Sequence, residues 1–144
     1  MIKCKSINYT AKELVDIIEV QVPDPGQGEV QIQTLACGVC AWDLHVYRNG
    51  VDSPIPPGHE GVGRVVKLGP GVTQLKEGDW VTGGGLGFTE FYNKPQRDLY
   101  PIPVTTRQPE HWIVEPVACI VTGLDHCQLK AGDRLEIVKI VAGG

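Results

Sequence analysis

The sequence lacks several features that mark particular classes of protein. No apolar run reaches the about 20 residues that a membrane helix requires. No block of like charge interrupts the 13 basic and 17 acidic residues. Residues 1–5 do not begin a signal peptide. We therefore expect a soluble, cytoplasmic protein that binds neither nucleic acid nor a membrane.

Cysteine is scarce and its number is odd. The five cysteines are Cys4, Cys37, Cys40, Cys119 and Cys127. An odd count without a secretory signal favours free thiols over a disulfide framework. The Cys37-x-x-Cys40 spacing would also suit a redox motif or a zinc knuckle, but a knuckle needs a second pair, which the sequence does not offer.

Regular structure is predicted in short pieces. The chain has 144 residues, of which 42% are hydrophobic and 21% charged, as expected for one globular domain. Its 18 glycines and 11 prolines separate strand-like segments. These strands are predicted at residues 14–20, 29–33, 61–68, 79–82, 88–92 and 134–141, and helices at 40–47 and about 115–127. Many short strands with frequent turns predict a mainly β fold, an antiparallel barrel or sandwich.

Four residues have side chains that suit a zinc site: Cys40, His59, Glu60 and Glu115. Zinc takes thiolate, imidazole and carboxylate ligands, and a catalytic zinc keeps one position open. Composition alone does not bring these residues together. The alternative is that Cys40 is a core thiol and that His59 and Glu60 are solvated loop residues, and for a lone cysteine or histidine this is the commoner situation.

Several segments, in order, resemble those of the zinc-dependent medium-chain alcohol and polyol dehydrogenases. They are residues 37–45, 57–63, 69–72 with 78–81, 87–91 and 115–119, and the last is similar to the polyol dehydrogenase branch. The resemblance spans about residues 26–135. It implies a GroES-like, partly open β-barrel with short helices, formed by residues 1–135. Residues 136–144 are expected to be a terminal strand or a stub of a nucleotide-binding domain.

The resemblance also implies roles for the metal-site residues. Cys40 corresponds to the first zinc ligand and His59 to the second. Glu60 is either a ligand or a support for one, and Glu115 is the third protein ligand, directly or through water. Cys119 is the fallback, because it lies one helical turn beyond Glu115 and a cysteine replaces that glutamate in other branches.

The reaction implied is hydride transfer between a small alcohol or polyol and a nicotinamide, with zinc as Lewis acid. Catalytic roles are predicted for His45, Asp43 and Glu60. The family's proton-relay hydroxyl is replaced by Trp42, whose indole cannot accept a proton. His45 would then take the proton through water, and Trp42 would line the pocket. Asp43 either fixes a ligand, bonds His45, or is simply a charge at a helix start.

Two features of the family are missing from the sequence. The four-cysteine zinc lobe is absent between Gly83 and Glu115, so we expect one catalytic zinc and no structural zinc. A Gly-x-Gly-x-x-Gly turn is also absent, and the glycines of residues 83–87 are predicted to form a turn or bulge.

We therefore assign no cofactor-binding residue, and expect NAD or NADP to bind only through a domain that this chain lacks. The leading interpretation is a zinc-binding catalytic domain that is inactive alone. The alternative is a non-catalytic GroES-like folding or interaction module. The oligomeric state stays open, and a homo-oligomer is one option.

Overall fold

The computed structural model describes residues 1–50, 58–84 and 87–134. The strands are β1 (Ile2–Ala11), β2 (Leu14–Val22), β3 (Glu29–Gly38), β4 (Glu60–Leu68), β5 (Trp80–Gly84), β6 (Phe91–Pro95) and β7 (Tyr100–Pro101). The helices are α1 (Ala41–Asn49) and α2 (Glu115–His126), with short 3-10 helices at Gln96–Asp98 and Pro109–Trp112. The strand predicted at 134–141, apart from its first residue, and the terminal segment 136–144 lie outside the described residues.

Strands β1 and β2 form an antiparallel hairpin. Their register runs from Ile2 opposite Val22 to Tyr9 opposite Val15. At the tip, Glu13 adopts a left-handed φ of 57°, a conformation that tight turns use. The β2 strand was predicted and is two residues longer than expected, whereas β1 was not predicted.

A second, five-stranded sheet has the order β6-β3-β4-β5-β7, and all its pairings are antiparallel. The central pair, β3 and β4, runs from Val30 opposite Leu68 to Gly38 opposite Glu60. Strand β6 begins three residues later than predicted and extends to Pro95. The β3–β4 pair matters for function, because it places the end of β3 beside the start of β4.

The main apolar core lies on one face of this sheet. It consists of Val30, Ile32, Val65, Leu75, Val81 and Leu99, with Leu68, Val72 and Tyr92 packed around it. Full burial of each aliphatic side chain stabilises the fold by about 1.5–3 kcal/mol relative to exposure. The core therefore holds the central strands together and gives the loops at their ends a fixed base.

The segment before β6 joins the hairpin to the larger sheet. Ser6 forms an isolated bridge with Thr89. The Ile7 N–H donates to the Phe88 carbonyl at 2.8 Å, and the Glu90 N–H donates to the Lys5 carbonyl at 3.0 Å. The sheets do not close completely, so the expectation of a mainly β, partly open barrel is confirmed.

Both predicted helices are present with slightly shifted ends. Cys40 is the N-cap of α1, so the helix begins one residue later than predicted and ends two residues later. Helix α2 starts at Glu115 with Pro116 in its first turn, where the missing proline N–H costs least. None of the described helices has the length and apolar character needed to cross a bilayer.

One prediction about the glycine-rich stretch was partly wrong. Gly83 and Gly84 belong to β5 and do not form a turn. A side chain at Gly83 would approach the Asp98 carbonyl oxygen to 2.5 Å, so glycine is required there by a close backbone contact and not by chain reversal. Residues 85 and 86 of this stretch lie outside the described ranges.

Candidate metal centre

The sheet and both helices bring four of the predicted ligand residues to one place. Cys40 follows β3 and caps α1, while Glu60 is the first residue of β4 and His59 precedes it. Glu115 is the first residue of α2. Because Gly38 pairs with Glu60 across the sheet, the loop that carries Cys40 lies beside the segment that carries His59.

The thiol of Cys40 and the imidazole of His59 face each other. Cys40 Sγ lies 3.4 Å from His59 Nε2. A tetrahedral zinc with Zn–S of about 2.3 Å and Zn–N of about 2.05 Å would hold sulfur and nitrogen about 3.6 Å apart. The observed separation suits a thiol–imidazole hydrogen bond and is also close to that expected for two ligands of one zinc ion.

Two groups of three side chains meet at His59. One group contains Cys40, Asp43 and His59, and the other contains His59, Glu60 and Glu115. In each group the candidate ligand atoms lie within 4.8 Å of one another. The structure therefore brings Cys40 on one side, and Glu60 with Glu115 on the other, to the imidazole of His59, but neither group contains Cys40 together with a glutamate. Ligation itself stays a prediction.

The imidazole of His59 has one nitrogen with an unmet hydrogen-bonding requirement. Its Nδ1 atom is buried and has no hydrogen-bond partner among the described residues. Buried polar atoms in proteins are nearly always partnered. The Nε2 atom, in contrast, faces the Cys40 sulfur. The donor set of thiolate, imidazole and carboxylates around His59 fits zinc.

Asp43 links the two segments that supply Cys40 and His59. Its side chain is completely buried. Oδ2 accepts the Cys40 N–H at 2.9 Å, and Oδ1 accepts the Gly58 N–H at 2.8 Å. The first of these bonds is one half of a capping box, in which Cys40 Sγ accepts the backbone N–H of Asp43 in return. Asp43 thus lies in the first turn of α1 and bonds the backbone of both segments, and a bond to His45 is not among those described. Its catalytic role stays a prediction.

His45 and Trp42 lie next to the centre on α1. Their rings stack with centroids 5.5 Å apart and an interplanar angle of 16°. His45 is exposed and its Nδ1 lies 3.1 Å from Asn49 Nδ2. The Trp42 backbone N–H reaches Cys40 Sγ at 3.2 Å. His45 is therefore outside the two ligand groups, and its catalytic role stays a prediction.

Burial and like charges oppose ionisation at the centre. Burial raises the pKa of the Cys40 thiol. Burial, and then the neighbouring Glu115 carboxylate, raise the pKa of Glu60. Burial also raises the pKa of Cys37 to about 11, and that thiol is not in either ligand group. A cation would reverse this balance by stabilising the thiolate and both carboxylates.

Gly38 makes room for the Glu60 carboxylate, which the sequence analysis did not predict. A β-carbon at Gly38 would collide with Glu60 Oε2 and lie 3.1 Å from Glu60 Cβ. Its only sequence signal is a glycine at a strand end, which often marks a close approach.

Replacing Gly38 by alanine is therefore expected to displace the Glu60 carboxylate and lower zinc affinity by about 10-fold. The free energy of unfolding should fall by only about 1 kcal/mol, because the clash is mainly with the end of a flexible side chain. Chelator competition and urea unfolding measure the two quantities. Gly123→Ala is the matched control, since no atom of the described residues lies within 4 Å of a β-carbon there. Unchanged zinc affinity in Gly38→Ala would contradict a role for Glu60 in the centre.

Gly58 was also missed as a structural requirement of the centre. Its φ is +79°, a conformation that side chains disfavour, and a β-carbon would lie 2.6 Å from the Phe88 backbone nitrogen. The sequence placed Gly58 in a motif but gave no reason for it. The reason is that the Gly58 N–H donates to Asp43 while the backbone at Gly58 passes too close to Phe88 to leave room for a side chain.

The sequence is similar to those of known alcohol dehydrogenases. Residues 26–104 match the protein family described as the alcohol dehydrogenase GroES-like domain. An alcohol dehydrogenase of Rhizobium meliloti is 54% identical over 69 residues, which are 45% of this chain and 20% of that enzyme. The (R,R)-butanediol dehydrogenase of Bacillus subtilis is 28% identical over 92% of this chain and 50% of its own length.

Solved structures show the same similarity. The crystal structure of 2R,3R-butanediol dehydrogenase from Bacillus subtilis has a TM-score of 0.75 and 28% identity, and covers 91% of this chain and 49% of that one. A short chain alcohol dehydrogenase of Escherichia coli, complexed with NADH, has a TM-score of 0.76 at 24% identity, over 88% of this chain and 46% of that one.

The chain spans about half the length of the relatives that it matches along most of its sequence. The matched residues include the strands β3, β4 and β5 and the segments that carry Cys40, His59 and Glu60. The family predicted from the sequence motifs is therefore confirmed, and this chain belongs to the alcohol dehydrogenase GroES-like domain family.

Proposed function

We propose that this chain is the zinc-binding catalytic domain of a nicotinamide-dependent alcohol or polyol dehydrogenase. The observation that carries the proposal is the approach of Cys40 Sγ to His59 Nε2 at 3.4 Å, with Glu60 and Glu115 grouped around the same imidazole. Similarity to known dehydrogenases supports the reaction class.

In this proposal Cys40 and His59 hold the zinc ion with Glu115, and Glu60 either binds it or supports the other ligands. The ion would supply a Lewis acid for the oxygen of a small alcohol or polyol. We expect one zinc ion per chain. The Cys37 thiol is left out of the ligand set, because it belongs to neither group of candidate ligand atoms among the described residues.

Other residues of the chain prepare this site. Asp43 fixes Cys40 and His59 relative to each other through its two backbone hydrogen bonds. Trp42 donates its backbone N–H to the Cys40 sulfur and offers no proton acceptor to the substrate. Because the His45 imidazole lies against the Trp42 ring, we propose that the substrate proton leaves through water toward His45.

We further propose that the nicotinamide is bound by a part of the enzyme outside these 144 residues. The chain corresponds to about half of the Bacillus butanediol dehydrogenase. Its sequence has no Gly-x-Gly-x-x-Gly turn to hold a pyrophosphate. The 144-residue chain alone is then expected to bind zinc without oxidising alcohols.

Metal analysis of the purified chain tests the proposal. We expect about one equivalent of zinc in the wild type, and its loss in Cys40→Ala and His59→Ala. Each substitution removes one of three or four ligands from a site whose affinity depends on all of them. Zinc should also raise the thermal unfolding midpoint of the wild type, since a ligand that binds only the folded state stabilises it.

Matched controls are Cys127→Ala and His126→Ala, which remove a thiol and an imidazole at the far end of α2. Both should retain zinc. Equal zinc content in the wild type, Cys40→Ala and His59→Ala would contradict the proposal, and a complete absence of zinc would favour a non-catalytic folding or interaction module.

A further inference from the structure

Helix α2 places a second polar group directly on the Glu115 carboxylate. Cys119 lies four residues after Glu115, so the two side chains share one face of the helix. The Cys119 thiol donates a hydrogen bond to Glu115 Oε1, with sulfur and oxygen 3.3 Å apart. A separation of 3.3 Å is within hydrogen-bonding range for a thiol donor, because sulfur has a larger radius than oxygen or nitrogen.

The contact engages one oxygen of a carboxylate that belongs to the candidate metal centre. A Glu115 oxygen lies within 4.8 Å of ligand atoms of His59 and Glu60. A carboxylate has two oxygens, so a donor on one of them orients the other. Groups that hydrogen-bond a ligating carboxylate commonly contribute about 10- to 100-fold to metal affinity.

The geometry also separates this role from direct ligation. Cys119 is exposed and is absent from both groups of candidate ligand atoms, whereas Cys40 is in one of them. The Cys119 thiol bonds Glu115, and not the His59 imidazole that the two groups share. A sulfur that bound the metal would have to leave Glu115 and take its place.

We infer that Cys119 is a positioning residue that holds Glu115 in the orientation needed to bind zinc. The inference rests on the proposed zinc site and adds a determinant of its affinity. It predicts that the hydrogen-bond donor matters at this position and that sulfur itself does not.

Zinc affinity of the purified chain, measured by competition with a chromophoric chelator, tests the inference. Cys119→Ala should bind zinc about 10-fold more weakly than the wild type. Cys119→Ser should bind within about 3-fold of the wild type, because a serine hydroxyl keeps the donor. Cys127→Ala is the control for loss of an exposed thiol near the end of the same helix. Circular dichroism checks that each variant is folded.

Absorption spectra with Co²⁺ in place of zinc add a second readout, since each thiolate bound to cobalt adds sulfur-to-metal charge-transfer intensity. The spectra of the wild type and Cys119→Ser should have equal intensity in that band. A weaker band in Cys119→Ser would overturn the inference by showing that Cys119 is a ligand. Equal zinc affinity of Cys119→Ala and the wild type would overturn it while leaving the zinc site intact. Failure of the wild type to bind zinc would instead overturn the proposed function and the inference together.

Discussion

Replacing Asp43 by alanine is expected to lower the free energy of unfolding of the metal-free protein by about 3 kcal/mol. The carboxylate is completely buried and accepts two backbone N–H groups, those of Cys40 and Gly58. Hydrogen bonds to charged groups contribute about 1.5–3 kcal/mol each, and their loss leaves buried donors without partners. Urea unfolding in the presence of a chelator measures this effect without a contribution from metal binding.

The same substitution should weaken zinc binding by at least about 10-fold. Asp43 holds the segment that carries Cys40 against the segment that carries His59, and without it the 3.4 Å approach of sulfur and nitrogen has no fixed support. Asp43→Asn should lie between the wild type and Asp43→Ala in both measurements. Its single carbonyl oxygen can accept one N–H, while its amide group meets the other N–H donor to donor.

Asp133→Ala is the matched control, because Asp133 also accepts a backbone N–H three residues away, from Lys130 at 2.7 Å, but at an exposed turn. Its unfolding free energy should change by less than about 1 kcal/mol. Asp43→Ala with the stability and zinc affinity of the wild type would show that the two backbone hydrogen bonds of the carboxylate contribute neither to folding nor to the centre.

The strands near the motifs could be predicted because their own residues carry the pattern. The alternation at residues 29–33 indicates a half-buried strand, and β3 contains it. Strand β1 was not predicted, although its residues alternate between apolar and polar with one interruption at Lys5 and Ser6. It pairs with β2 across a tight turn over most of its length, so the alternation was a local signal for this strand as well.

The position of β6 shows where local patterns fail. The prediction was a strand at residues 88–92, and the structure divides that stretch. Residues 88–90 bond to β1, and Phe91–Pro95 pairs with β3. Which partner each part takes depends on the register of two different sheets, so the boundary could not be read from the residues.

At the candidate site, the sequence indicated residues that the structure places near His59, but not the contacts between them. The resemblance selected Cys40, His59, Glu60 and Glu115, and helical spacing correctly placed Cys119 beside Glu115. The hydrogen bond from Gly58 to Asp43 joins residues 15 positions apart. Long-range contacts of this kind depend on the packed β3–β4 pair, and no spacing rule along the chain encodes them.

The second large expected effect concerns the main apolar core. Replacing Ile32 by alanine should lower the free energy of unfolding by about 3–4 kcal/mol. Ile32 is completely buried in the main core. Its truncation would remove the free energy of transferring the side chain from water and would leave a cavity in which neighbouring atoms lose contacts. Ile32→Val, which removes one methyl group, should cost only about 1 kcal/mol.

Gly63 on β4 provides a partner for this change. A β-carbon at Gly63 would collide with Ile32 Cγ2 and lie 2.9 Å from the Gln33 carbonyl oxygen. Gly63→Ala alone is therefore expected to cost about 1–3 kcal/mol through overpacking. In the double variant, the side chain at position 32 no longer has the methyl group that collides, and the new methyl group at position 63 fills part of the cavity.

A double-mutant cycle in urea should then show that the double variant is more stable than the sum of the single effects predicts, by about 1 kcal/mol or more. The coupling stays incomplete, because the contact with the Gln33 carbonyl involves backbone that cannot move away. Strict additivity would mean that the side chains do not share this space.

Zinc affinity of the folded Ile32→Ala protein should be unchanged, because Gly38 and Glu60 pair at the opposite end of β3 and β4 from Val30 and Leu68. Ile32→Ala is thus expected to lower stability and retain zinc affinity, whereas Asp43→Ala is expected to lower both. The comparison distinguishes the contribution of the core from that of the hydrogen bonds at the centre.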